Sequence, residues 1–297
     1  MKIELEVSPE IQKKIIEANL TEIIRQNALL EAHYRAKILA ASNLPARRQI
    51  TSEAYSMHGA FWETVKGVIG RQGFNELVWD CSKWAIKDKS VLELGCGAGY
   101  FAEIAAKIAI QYTGVDTSDA SIRAAAKRVG VNQNARFISG DIVDVIGSLP
   151  TFDVVFSNDV WEHLHPHDVP SVLSALAGKL NPGGLLIIYT SARLFGPFDG
   201  SRHYLREGEP AEGLHLNETT YLEMSRLLKS AGFFSVRSPV GPAPLLRAMS
   251  KLLGSPSFLL IDAKFKTFFE SSALLRRLFS RLVGIRGVAI FATSKSK

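Results

Sequence analysis

The chain has 297 residues, 46% hydrophobic and 22% charged, with 23 Gly and 12 Pro, which excludes wholesale disorder and collagen-like or low-complexity architecture. Its two cysteines, Cys81 and Cys96, exclude a disulfide framework and a cysteine-rich zinc site and fit a reducing, cytoplasmic compartment. The net charge of +6 is local: residues 245–297 hold ten Lys and Arg against Asp262 and Glu270, so they carry +8 while the remainder sums to −2.

Residues 1–89 read as a helical N-terminal extension, a lid or homodimer element. Its opening MKIELEVSPEIQKK mixes charges from the second residue and lacks the apolar stretch of a signal peptide. Ser8 and Pro9 start a helix, and Ile11, Ile15, Ile16, Leu20, Ile23 and Ile24 carry it toward Leu39. Asn43–Pro45 ends it, and a second helical stretch runs from about Phe61 to Trp84 with interruptions near Gly70 and Gly73. From residue 90 to 238 short apolar strands alternate with helices. The strands are Ser90–Leu94, Gln111–Val115, Ala135–Ser139, Phe152–Ser157, Leu185–Thr190 and Phe233–Ser238. The helices are Tyr100–Ile108, Ala120–Val129, Val169–Leu180 and Glu218–Ser230, the last capped by Asn217 and closed by Gly232. This alternation predicts an α/β, doubly wound, Rossmann-like parallel sheet. Residues 239–286 open with Pro239, Pro242 and Pro244 and form a basic, amphipathic helical insertion. Residues 287–297 supply a final strand, Gly287–Ser294, expected at the sheet edge.

Glu93-Leu-Gly-Cys-Gly-Ala-Gly99 runs from a strand into a glycine turn, where backbone N–H groups can approach a ligand. Tyr100 stands where the dinucleotide fingerprint needs its last glycine, so hydride transfer is disfavoured. The second strand ends in Asp116, the third in Asp141-Ile142, and the fourth in Asn158 and Asp159. An acid at the second position suits a ribose diol, and an acid beside an aliphatic residue suits an adenine.

With the Asn181-Pro-Gly-Gly184 turn, these motifs resemble the class I S-adenosylmethionine (SAM) dependent methyltransferases over residues 89–238. The resemblance implies a seven-stranded sheet whose last strand is antiparallel, and SAM as cofactor. It implies that Gly95, Gly97 and Gly99 hold the methionine end of SAM and that Glu93 lies near its amino group. Asp116 would bind the ribose, Asp141 and Ile142 the adenine, and Asn158 would border the sulfonium.

Methyl transfer to a hydroxyl needs positioning and a base. His163 is the preferred base, because an imidazole titrates near neutrality, and His215 is the second candidate. His165 and His167 read as loop residues beside Pro166. Asp159-x-x-Glu162-His163 resembles the Glu-x-x-Glu-His motif of ubiquinone-pathway and small-RNA 2′-O-methyltransferases, where it holds a divalent cation. The first acid here is Asp, so no metal is assigned. If one binds, Asp159, Glu162 and His163 are its expected ligands, with His203 or His215 as a fourth. The long polar stretch Ser191–Asn217 is expected to cap the acceptor.

The expected activity is O-methylation of a small-molecule, sugar or lipid-linked hydroxyl. The alternatives are a metal-assisted RNA 2′-O-methyltransferase and a SAM-binding protein without turnover, although nothing in the sequence reads as a nucleic-acid recognition motif. Residues 245–286 set Leu274, Leu275, Leu278, Phe279, Leu282 and Val283 on one helical face and Arg276, Arg277 and Arg281 on another. That pattern suits peripheral membrane contact or packing against the chain's own core.

Overall fold

The computed structural model describes residues 5–65, 76–130, 134–254 and 259–294. The expected interruptions at Gly70 and Gly73 lie outside the described residues. The chain forms two compact units. The first is Met1–Gly73 with Glu162–Asp168 and Arg193–Glu218, and the second is Phe74–Trp161 with Val169–Ala192 and Thr219–Lys297.

Among the described residues the first unit holds three α-helices. In α1 (Pro9–Glu17) the Ser8 side chain accepts from the Ile11 N–H and Pro9 sits in the first turn, as the sequence predicts. The helix does not continue to Leu39. Asn19 takes a left-handed φ of +49°, which Asn tolerates better than most residues, and the chain re-enters α2 (Glu22–Ala40). Asn43 then accepts from the Ala46 N–H at 2.9 Å and starts α3 (Leu44–Val65), so the segment read as a breaker is also a helix start. Leu30, Tyr34 and Ile38 recur four apart on one face of α2. They pack with Ala54 of α3 and with Leu214 and Leu216 from the third segment. Each large apolar side chain buried here contributes about 1.5–3 kcal/mol. Arg47 of α3 grips the Asp168 carboxylate through two nitrogens, at 3.0 and 2.5 Å, and so fastens the second segment.

The second unit begins with α4 (Glu76–Ile86). Its sheet contains β1 (Ser90–Leu94), β2 (Gln111–Asp116), β3 (Ala135–Ser139), β4 (Phe152–Asn158), β5 (Leu180–Ser191), β6 (Ser235–Pro239), β7 (Leu260–Asp262) and β8 (Gly287–Thr293). The order is β3-β2-β1-β4-β5-β8-β6-β7. β1 to β5 pair in parallel, and β8 runs antiparallel to both of its neighbours. The last strand is antiparallel as expected, but among the described residues the sheet has eight strands, because the 239–286 segment adds β7 antiparallel to β6. β8 is not at the edge; it lies between β5 and β6. Its sequence, GVAIFAT, has no polar side chain before its final Thr293, as a strand covered on both faces requires.

The helices of this unit are α5 (Ala102–Ala105), α6 (Asp119–Val129), α7 (Ile142–Val145), α8 (Val169–Lys179), α9 (Tyr221–Ser230), α10 (Ala243–Leu253), α11 (Lys264–Glu270) and α12 (Ala273–Val283). α9 is capped by Thr220, not Asn217: Thr220 Oγ1 accepts from the Glu223 N–H, and the Glu223 carboxylate accepts from the Thr220 N–H. Alternate residues of β1, β2, β4 and β8 (Val91, Tyr112, Val154, Phe156, Phe291) form the core with Phe101 and the alanines of α5, and the Phe101 and Phe156 rings stack at 3.9 Å. Among the described residues no helix is long and apolar enough to cross a membrane.

Candidate active site

The strand order reverses between β1 and β4: β2 and β3 lie to one side, and β5 to the other. In a parallel sheet the crevice beyond the carboxyl ends of the strands at such a point is where ligands bind. Every residue expected to hold the cofactor lies at that edge: Glu93 near the end of β1 and Gly95–Gly99 just past it, Asp116 at the end of β2, Asp141 and Ile142 just after β3, and Asn158 at the end of β4.

The three glycines of the turn serve different ends. All have left-handed φ, +63° at Gly95, +50° at Gly97 and +77° at Gly99. A Cβ on Gly95 would lie 2.5 Å from Val160 Cγ2, and one on Gly99 would lie 2.8 Å from the Ala125 Cα of α6. A Cβ on Gly97 would meet nothing within 4 Å. Gly95 and Gly99 therefore let the turn pack on its own unit, whereas Gly97 borders open space that a ligand can fill.

Asp116 is locked under this turn, with Oδ2 accepting from the Gly97 N–H and Oδ1 from the Ser118 N–H, each at 2.9 Å. Burial raises its pKa and the two N–H groups pull it back in part. A carboxylate oxygen offers two lone pairs, so each can still accept from a diol. Glu93 is buried, and the Tyr112 hydroxyl donates to it. Burial, with the Asp116 charge nearby, pushes Glu93 well above the usual carboxylate range. Asp141 caps α7 by accepting from the Val143 N–H at 2.8 Å, and Ile142 begins that helix, half-buried. The Asn158 amide donates to the Asp159 carboxylate at 2.6 Å, and Asp159 takes a left-handed φ of +54° while its N–H donates to the Tyr189 carbonyl of β5. Tyr112 and the fully buried Trp161, whose indole N–H donates to Ser157 Oγ at 2.6 Å, are supports that the motif pattern does not reveal.

The first unit carries a second cluster. Glu162, His163 and His215 each offer a ligand atom, and these atoms lie within 4.8 Å of one another. The expected trio therefore changes membership: Asp159 belongs to the other unit, and His215 joins Glu162 and His163. His203 stays on the surface beside Arg202. The Asn217 N–H donates to the Glu162 carbonyl at 2.9 Å, holding the two segments together.

His163 does not keep the near-neutral pKa that made it the preferred base. Burial, then the His215 ring 4.7 Å away, lowers it to about 3, so at neutral pH it is an uncharged imidazole. Its Nδ1 lies 3.2 Å from the Leu214 carbonyl, which only an N–H can satisfy, so the Nε2 lone pair is left. His215 differs. Burial alone would lower it, but Glu218, 2.8 Å from its Nδ1, with Glu162 and Asp199, raises it overall. Glu218 is the residue that sequence reasoning passed over. It also accepts from the Phe198 N–H at 2.7 Å, and its only sequence signal is its three-residue spacing from His215. His165 and His167 form a loop contact of their own, with ring centroids 4.9 Å apart.

An open sheet with its switch point at a glycine turn, followed by acids after the second and third strands, is the frame of a class I SAM-dependent methyltransferase. Residues 69–237 match the family described as a methyltransferase domain, and the chain belongs to that family. It is 29% identical over 163 residues to a probable SAM-dependent methyltransferase of Mycolicibacterium smegmatis, a match covering 54% of this chain and 57% of that one. It is 34% identical over 106 residues to a ubiquinone biosynthesis O-methyltransferase of Rhizobium leguminosarum, covering 35% of this chain and 40% of the relative. A malonyl-[acyl-carrier protein] O-methyltransferase of Halalkalibacterium halodurans is 34% identical over 115 residues, covering 37% and 40%. The matches thus span 40% to 57% of the length of these relatives.

Proposed function

We propose that this SAM-dependent methyltransferase methylates a hydroxyl oxygen of a small-molecule, sugar or lipid-linked acceptor, and that Glu162, His163 and His215 hold a divalent cation for that reaction. The observation that carries the proposal is the convergence of one carboxylate and two imidazoles within 4.8 Å, with the Nδ1 atoms of both rings taken by a carbonyl and a carboxylate. Such outer partners fix each ring and leave Nε2 as a ligand. A buried imidazole that stays neutral suits a ligand better than a base. Bound SAM supplies a methyl carbon activated by its sulfonium, and a cation on this cluster would supply Lewis acidity that lowers the pKa of the acceptor hydroxyl. The chain's own part is to seat the donor over Gly97, with its ribose on Asp116, and to orient the acceptor. The matches to two proteins named as O-methyltransferases support an oxygen acceptor.

A second reading rests on the Glu218–His215 pair. A carboxylate on Nδ1 with a raised imidazole pKa is the arrangement of a metal-free general base. Labelled-methyl transfer into a fractionated cell extract, with and without chelator, separates the two. With a cation, chelator abolishes transfer, Mg²⁺ or Mn²⁺ restores it, and metal titration calorimetry shows one site that is lost in His163→Ala. With His215 as base, chelator changes nothing, while His215→Ala cuts turnover by about 10²-fold or more. Label confined to the nucleic-acid fraction would overturn the small-molecule acceptor, and no label from SAM-binding protein would favour a role without turnover.

A further inference from the structure

The apolar arc of α12 is wider than the face its own unit covers. Leu275 and Phe279 turn inward and Val283 is buried, and the Phe279 ring packs 5.8 Å from Phe269 of α11. Leu274, Leu278 and Leu282, at four-residue spacing one strip further round, are 65%, 61% and 61% exposed. Phe265 and Phe268 of α11 are exposed too. Three leucines in a line on the outside of a helix have no use in packing the core, and each costs burial energy left unclaimed.

The next strip of α12 is basic. Arg277 and Arg281 are exposed alongside the leucines, Lys264 is exposed on α11, and Arg286 follows the helix. Of the oppositely charged residues between 245 and 286, Asp262 is exposed and Glu270 is buried. Parallel strips of leucine and arginine match a layer with apolar interior below and negative charge above. Arginine stems can lie along the acyl boundary while the guanidinium groups stay among the headgroups. A second copy of the chain is a poor occupant, because it would bring the two arginine strips together.

We propose that the outer face of α11 and α12, with Leu274, Leu278 and Leu282 as the inserted strip and Lys264, Arg277 and Arg281 as the charged strip, docks on an anionic membrane surface. The helices bind in the plane of the interface and do not span it.

The test is co-sedimentation of the full chain with vesicles of phosphatidylcholine containing about one third phosphatidylglycerol, and with phosphatidylcholine alone. Wild-type protein sediments with the anionic vesicles at low salt, is released at high salt, and stays in solution with the neutral ones. Arg277→Gln with Arg281→Gln weakens partition by roughly 30-fold. Leu278→Gln with Leu282→Gln weakens it by more than about tenfold. All four positions are exposed, so both variants fold, which unchanged SAM affinity and unfolding midpoint check. Absence of binding at low salt, equal binding to neutral vesicles, or binding that both variants keep overturns the proposal. So does a dimer in sedimentation velocity that the leucine pair dissolves while vesicle binding is absent, which would assign the face to a second copy.

Discussion

Two residues apart in one turn, Gly97 and Gly99 predict opposite phenotypes. At Gly99 an added methyl group would press on the Ala125 backbone at 2.8 Å in a left-handed conformation. Gly99→Ala is therefore expected to cost about 3 kcal/mol of stability in urea unfolding. At Gly97 the same methyl group meets no atom within 4 Å, so Gly97→Ala costs about 1 kcal/mol from its φ alone. It fills the space assigned to the cofactor, however, and SAM affinity measured by calorimetry should fall by about 10²-fold or more. If the Gly97 variant bound SAM like wild type, the open space would not be the cofactor's. That Gly95, Asp116, Asp141 and Asn158 gather at one edge of the sheet is legible in the sequence because the pattern is local: a glycine turn, then polar residues where each following strand ends. The pKa of His163 is not legible in the sequence, because it is set by what surrounds the residue in space, and the Leu214 carbonyl and His215 ring are some fifty positions away in the chain.

Elements were read well where one pattern had one physical meaning. β1 and β3 fall on the residues the sequence marks, since short apolar runs bounded by turns leave little choice of register. The gap between α1 and α2 was not legible, because the isoleucine spacing runs on across Asn19 and only a backbone angle interrupts it. The sequence puts the cap of α9 three residues early, since Asn217 and Thr220 are both good caps and only the reciprocal bond with Glu223 selects between them. Thr220→Ala should lower stability by about 1 kcal/mol, read from the unfolding midpoint, with SAM affinity unchanged.

α11 carries a further prediction. Lys266 is 1% exposed, and its ammonium donates to the Tyr221 hydroxyl at 2.9 Å and the Gly284 carbonyl at 2.8 Å. Burial lowers its pKa to about 7, against an upward pull from Glu270. From pH 7 upward to the ordinary lysine range, the unfolded chain holds a proton that the folded chain has released. Stability therefore rises with pH there, by up to about 1.4 kcal/mol per pH unit. Urea midpoints taken from pH 7 to 8, below the range where unfolded thiols ionise, should climb more steeply for wild type than for Lys266→Met. A level wild-type profile would mean that the ammonium remains charged within the fold.

At the scale of the whole molecule, the parallel sheet is legible because each unit of strand and helix announces itself, and its antiparallel last strand follows from the family resemblance; the contacts that join distant segments of the first unit are not legible. Glu31 of α2 accepts from the Gly200 N–H at 2.8 Å, and Arg35 donates to the His215 carbonyl at 3.0 Å, pairings across nearly the whole length of the core. No periodicity encodes contacts at such separation. The Arg193–Glu218 stretch looks like a bare loop in sequence, yet Glu31, Asp199 and Glu218 accept from its backbone N–H groups at Gly200, His215 and Phe198.

The shared core of Leu30, Tyr34, Ile38, Ala54, Leu214 and Leu216 also has a consequence in time. During synthesis α2 and α3 are complete long before Leu214 exists, and β1 to β5 are all made in between. Until then the inner face of α2 stays wet. The three helices must wait, partly covered, for a piece of chain that arrives only after five strands of the sheet, so the unit begun before the sheet is finished after most of it.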